Sequence, residues 1–167
     1  PRDRTWAPLA AGGVEPVNIA LVLVLAGAEA SAGMASRPGL VDVKTLVPEV
    51  FVDLAYSSSN NFMKRDVYGG LQACFLQRDA AEMLASADAL LRQRAPDRRL
   101  LAWDCARPQA VQRIMWKAVE GTKAQSYVAN PNTRTGSIHN YGCAIDLSLS
   151  DPEGRPVDMG TGYDHFG

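Results

Sequence analysis

From Leu76 to Leu91 the apolar residues recur at intervals of three and four: Leu76, Ala80, Met83, Leu84, Ala87, Leu90 and Leu91. That spacing lays a single apolar stripe along a helix, and such a helix needs a packed surface to lie on. Pro96 and Asp97 end it. Residues 50–56 (VFVDLAY), rich in β-branched and aromatic side chains, read as a strand, and residues 100–103 as a second short one. Pro108 stands where a helix can begin without losing a hydrogen bond. Val111, Ile114, Met115, Ala118 and Val119 continue that helix on one face. Residues 121–136 are polar, contain Asn130-Pro131-Asn132, and read as a long mobile loop. Residues 143–149 (CAIDLSL) alternate, with Ala144, Asp146 and Ser148 on one face and Ile145, Leu147 and Leu149 on the other. A turn follows at 151–154. There is no internal repeat and no coiled coil. Strands and helices in mixed order predict the α+β class, as a small antiparallel sheet with helices packed on one side.

Length and composition agree with one globular domain. The chain has 167 residues, 47% hydrophobic and 21% charged, enough apolar material for a core. Its 17 basic and 18 acidic residues give a net charge of −1, which predicts neither a nucleic-acid surface nor an electrostatic membrane anchor. The three cysteines, Cys74, Cys105 and Cys143, form no C-x-x-C pair, so a thiolate zinc ribbon is not supported. Three buried apolar thiols are expected, with one bridge plus one free thiol as the alternative in an oxidising compartment.

Residues 1–34 stand apart from this pattern. The apolar run at 19–28 (IALVLVLAGA) is too short to span a bilayer, and small-x-small sequences follow it, as in a secretory signal. Its positive flank is weak, since Asp3 and Glu15 offset Arg2 and Arg4. This predicts a periplasmic or secreted protein without a transmembrane span. The alternative is translation from Met34 and a cytoplasmic product. Either way the domain is expected over 35–167.

Only two histidines are present, His139 and His165, so any imidazole-based site has little to draw on. His139 precedes an Asn-Tyr-Gly turn, and Asp146 lies on the polar face of the strand beyond it. The turn can bring an imidazole nitrogen and a carboxylate oxygen toward one point, and that donor pair suits zinc. Two ligands are one fewer than a catalytic zinc usually takes from its protein. Alone, a His/Asp pair seven apart is more often a loop histidine and a solvated strand residue.

The surrounding residues carry more information. Ser137-Ile138-His139-Asn140-Tyr141-Gly142-Cys143-Ala144-Ile145-Asp146 resembles the S-x-H-x-x-G-x-A-I-D signature of the D-alanyl-D-alanine dipeptidases, including those of vancomycin resistance. More distantly it is similar to the zinc D,D-carboxypeptidases and the lysostaphin and hedgehog-type domains. Asp53-Leu54-Ala55-Tyr56, Asn60-Asn61-Phe62 and Val67-Tyr68-Gly69 resemble the family's N-terminal strand and loop. Arg107-Pro108-Gln109 resembles its arginine motif, and Val157-Asp158-Met159-Gly160 with Tyr163-Asp164 the segment after the second ligand. The likeness covers roughly residues 40–167.

Taken residue by residue, the resemblance implies one zinc ion per chain, held by His139 and Asp146 in a cleft on the sheet. Arg107 would stabilise the tetrahedral intermediate. Ser137 would hold the substrate's carboxylate and Asp164 its ammonium, with Tyr56 a further substrate-binding residue. The implied substrate is D-Ala-D-Ala, linked to peptidoglycan metabolism. A D,D-carboxypeptidase is one alternative, and a non-catalytic wall-binding relative another. Two departures stand out. Ala106 precedes the arginine where relatives often carry an aromatic residue. The family also takes its third ligand and its general base from a downstream E-x-x-H, and no such motif occurs before Gly167. His165 has Gly162 three residues before it and does not fit that pattern. The domain therefore reads as incomplete at its C-terminal end.

Overall fold

The computed structural model describes residues 33–166. The apolar run at 19–28 lies outside them. Strand β1 (Leu40–Asp42) pairs antiparallel with β3 (Phe75–Gln77), Val41 opposite Leu76. A second sheet has the order β2-β4-β5, from β2 (Phe51–Val52), β4 (Arg99–Asp104) and β5 (Asp146–Ser150). β4 and β5 run antiparallel, whereas β2 and β4 run parallel, with Phe51 opposite Leu101. The fold is α+β as predicted. The expectation of a wholly antiparallel sheet is corrected by the β2–β4 pair. That parallel pairing needs a long crossover, and residues 53–98, which contain β3 and the first helix, supply it.

Helix α1 (Arg78–Arg94) packs on β1, β3 and β4. Its buried face is Ala81, Leu84 and Asp88, flanked by Ala80, Ala85 and Leu91. The expected stripe is rotated. Leu76 belongs to β3, and Met83 and Leu90 are 73% and 45% exposed. Asp88 turns inward because Arg92, one turn later, meets its carboxylate at 3.2 Å, so a charged residue occupies a core-facing position. Helix α2 (Gln109–Val119) follows Pro108 and buries Val111, Gln112, Met115 and Val119. Ala118, expected on that face, is exposed. Within residues 121–136 the structure places a 3-10 turn at Lys123–Tyr127, and Val128 is buried.

The core joins both sheets and both helices. Leu76, Leu101, Val43, Val47 and Val50 have almost no exposed surface. Cys74 and Cys105 are bridged there, 31 residues apart, and Cys143 is exposed with a free thiol. The expectation of three buried thiols is therefore wrong, and the bridge-plus-thiol alternative describes the chain. The bridge forms because the start of β3 lies against the residues after β4, where the Ala106 N–H donates to Phe75 O at 2.9 Å. Among the described residues no helix is long and apolar enough to cross a membrane.

One irregularity of β4 positions the site. Ala102 faces Leu147 across the ladder, but Asp104 faces Asp146, so β4 carries one extra residue, a bulge at Trp103. Directly opposed residues share a face of the sheet. The bulge thus sets the carboxylates of Asp104 and Asp146 side by side, where regular pairing would have set Trp103 against Asp146.

The glycine of the His139 turn is fixed by its backbone. Gly142 has φ +72°, and a Cβ there would lie 2.5 Å from Leu40 Cδ2. Gly142→Ala should cost about 1–3 kcal/mol for the left-handed conformation alone, with the Leu40 clash in addition. A urea midpoint equal to wild type would contradict this reading.

Candidate active site

The arginine is set by β4 and the turn into α2. Asp104, the last residue of β4, has no exposed surface, and Arg107 is buried three residues later. The Arg107 Nε–H donates to Asp104 Oδ2 at 2.9 Å, and an Nη2–H donates to the same oxygen. An Nη1–H donates to Gln112 Oε1 at 2.7 Å. Gln112, wholly buried on α2, in turn donates to the Ala129 carbonyl at 2.7 Å. Asp104 Oδ1 accepts from the Tyr68 hydroxyl and from the Cys105 N–H. The guanidinium lies 5.3 Å from the centre of the Tyr56 ring, within cation–π range. Burial opposes its charge, but the adjacent Asp104 carboxylate outweighs burial and raises its pKa above the ordinary arginine value. Arg107 is therefore a fixed cation with two of its five N–H groups uncommitted to these partners.

The histidine is set by a 3-10 turn, Ile138–Tyr141, that docks on the arginine segment. The Arg107 N–H donates to His139 O at 2.9 Å, and Asn140 Nδ2 donates to Arg107 O at 3.0 Å. Asn140 Oδ1 also accepts from the Ser137 N–H. His139 Nδ1 lies 2.9 Å from Cys105 O. A carbonyl only accepts, so the network assigns the proton to Nδ1. The Nε2 lone pair then faces Asp146 Oδ1 at 3.5 Å. Burial opposes charging His139, but Asp146 and Asp104 overcome it and raise its pKa. Burial likewise pushes Asp146 up, while His139 and the Tyr163 hydroxyl pull it below its ordinary value.

A lone pair facing a carboxylate is satisfied either by a proton on Nε2, which the raised pKa favours, or by a metal ion between the two groups. In a tetrahedral zinc site with bonds of about 2.0–2.1 Å, two ligand atoms stand about 3.3 Å apart. The observed 3.5 Å fits. Ligand atoms of Asp104, His139 and Asp146 all lie within 4.8 Å of one another, so the three could hold a metal ion. Asp104, however, faces the other imidazole nitrogen, Nδ1, at 3.7 Å. Its two oxygens already accept from Arg107, Tyr68 and Cys105. Asp104 is thus engaged elsewhere, which leaves His139 Nε2 and Asp146 as the less committed candidates to hold an ion.

Both residues open into a cleft of about 490 Å³. Tyr56, Arg107, Ser137, His139, Asp146 and Asp164 all line it, so the structure brings together every site residue expected from the sequence. Asp164 adopts φ +60°, a left-handed conformation that aspartate tolerates better than most residues. Its carboxylate accepts from the Tyr56 hydroxyl at 2.9 Å and from the Phe62 N–H at 3.3 Å. Burial raises its pKa, and the Asp146 charge adds to that, against the two hydrogen bonds. His165 is exposed and does not line this cleft.

Three residues were given no role from the sequence. Asp104 had a signal, a carboxylate ending an apolar strand three residues before the arginine. Gln112 stands four residues from Pro108 and three from Met115, a core position on α2. Tyr163 sits beside Asp164 in a segment already singled out, but nothing in its neighbours points toward Asp146. Asp104→Asn would leave the buried guanidinium without its counter-charge, and we expect a loss of about 3–5 kcal/mol. An unchanged chemical-denaturation midpoint would contradict the pairing.

The geometry can be set beside known proteins. Residues 36–167 match the peptidase family described as D-ala-D-ala dipeptidase. The D-alanyl-D-alanine dipeptidase of Escherichia coli (strain K12) is 31% identical over 133 residues, which cover 80% of this chain and 65% of that protein. The chain thus spans less than two thirds of the length of the curated relative it matches. With the match extending over most of the chain, and through every segment that lines the cleft, the chain belongs to the D-Ala-D-Ala dipeptidase family of peptidases.

Proposed function

We propose that the protein hydrolyses the free dipeptide D-Ala-D-Ala with one zinc ion per chain, as a step in peptidoglycan metabolism. The observation that carries this reading is the convergence of the His139–Asp146 donor pair, Arg107 and Asp164 on one cleft. The name of the Escherichia coli relative supports the choice of substrate.

His139 Nε2 and Asp146 would hold the zinc ion, which supplies Lewis acidity that lowers the pKa of water and polarises a carbonyl. Each remaining role falls to a residue of the cleft. Arg107 would present its fixed positive charge to the carbonyl oxygen as that oxygen gains negative charge. Its partners Asp104 and Gln112 prevent reorientation, so little reorganisation is needed at the moment of reaction. Ser137, which lines the cleft, would bind the dipeptide's carboxylate. Asp164 would receive the ammonium, with its carboxylate held in place by Tyr56 and the Phe62 N–H. Residues 1–167 contain no E-x-x-H.

Asp164 favours a dipeptidase over a D,D-carboxypeptidase. A longer peptide carries no ammonium at that position and would leave the half-buried carboxylate without a counter-charge, a cost that discriminates against it. We also place the protein in the periplasm or outside the cell. The Cys74–Cys105 bridge supports this, because structural disulfides persist mainly in oxidising compartments.

Two experiments on the full-length protein test the reading. His139→Ala and Asp146→Ala should each abolish stoichiometric zinc, read by metal analysis after gel filtration; full zinc and activity in either variant would overturn the site. Asp164→Asn should raise KM for D-Ala-D-Ala by about 10-fold or more, the cost of about 1.4 kcal/mol of lost charge pairing. It should raise KM for an N-acetylated analogue much less. An equal effect on both substrates would remove Asp164 from ammonium recognition.

A further inference from the structure

We infer that Tyr163 is a positioning residue for the metal site, its hydroxyl holding one oxygen of Asp146 so that the other is presented to the cation. The inference rests on the zinc reading above. The two oxygens of Asp146 have different surroundings. Oδ1 faces His139 Nε2 at 3.5 Å, whereas Oδ2 accepts from the Tyr163 hydroxyl at 2.8 Å. A carboxylate on an edge strand can rotate about its last torsion and exchange its oxygens. A hydrogen bond to one of them removes that freedom.

Tyr163 has one hydroxyl proton and two nearby acceptors. The Tyr56 hydroxyl oxygen lies 3.3 Å away, and Asp146 Oδ2 is nearer. An ionised carboxylate is also the stronger acceptor. Tyr56 gives its own proton to Asp164, so it has none to offer Asp146. The direction of the Tyr163 hydroxyl is set by its ring. That ring stacks on Trp103 with centroids 5.9 Å apart and planes 24° from parallel, and it meets Tyr56 edge-on at 6.0 Å. Trp103 is the bulged residue of β4. The bulge therefore acts twice, by bringing Asp104 opposite Asp146 and by offering the indole on which Tyr163 rests.

Tyr163→Phe deletes one oxygen atom and retains the ring with both aromatic contacts, so the fold should be kept. The test measures the zinc Kd of the full-length protein by competition with a chromogenic chelator, for wild type, Tyr163→Phe and Asp146→Ala. The visible spectrum of the cobalt(II)-substituted protein is recorded alongside. Loss of an outer partner of a ligand typically weakens metal binding 10–100-fold. We expect Tyr163→Phe to raise Kd at least about 10-fold, with a shifted cobalt spectrum and an unchanged far-ultraviolet circular dichroism spectrum. A Tyr163→Phe Kd within twofold of wild type, with zinc lost in Asp146→Ala, would overturn this inference alone. Wild-type zinc affinity in Asp146→Ala would overturn the metal reading beneath it.

Discussion

The carboxylate of Asp104, with no exposed surface, receives the guanidinium of Arg107, the hydroxyl of Tyr68 and the N–H of Cys105. A charge that deep is tolerated only when paired and hydrogen-bonded; here Cys105 and Arg107 are local partners, and Tyr68 reaches in from 36 residues away. Tyr68 comes from the crossover, Arg107 from the entry to α2, and Cys105 from the bridge to β3. The pair fixes the segment 104–107. That segment supplies the Cys105 carbonyl that sets the His139 tautomer and the Arg107 backbone on which the His139 turn docks. The Arg107 cation and the His139 nitrogen that faces Asp146 are thus positioned by one buried contact.

The sheet serves the same arrangement. Without the bulge at Trp103, Asp104 and Asp146 would not face each other, and the imidazole would not lie between two carboxylates. The cleft has three electrostatic regions as a result. Arg107 is a buried cation, His139 and Asp146 form a donor pair, and the outer carboxylate, Asp164, keeps a raised pKa among aromatic rings.

Much of this was legible in the sequence. Alternation at 143–149 pointed to β5, although the strand begins only at Asp146 and Leu147, expected on its apolar face, is exposed. The helical spacing located α1, and Pro108 marked the start of α2. The glycine of the histidine motif is explained by the left-handed conformation of Gly142 and its approach to Leu40. What stayed hidden depends on contacts between distant segments. The face of α1 was misread because Asp88 buries itself against Arg92, which no hydrophobic count anticipates. The Cys74–Cys105 pair depends on β3 meeting the end of β4. The role of Asp104 depends on a one-residue register shift, and that of Tyr163 on the indole the shift exposes.

The most direct measurement is an anomalous diffraction experiment at the zinc edge on crystals of the full-length protein grown with zinc. The account predicts one peak bonded to His139 Nε2 and to an Asp146 oxygen, with Asp104 still paired to Arg107. A peak on His139 Nδ1 and Asp104, or none near His139, would contradict it.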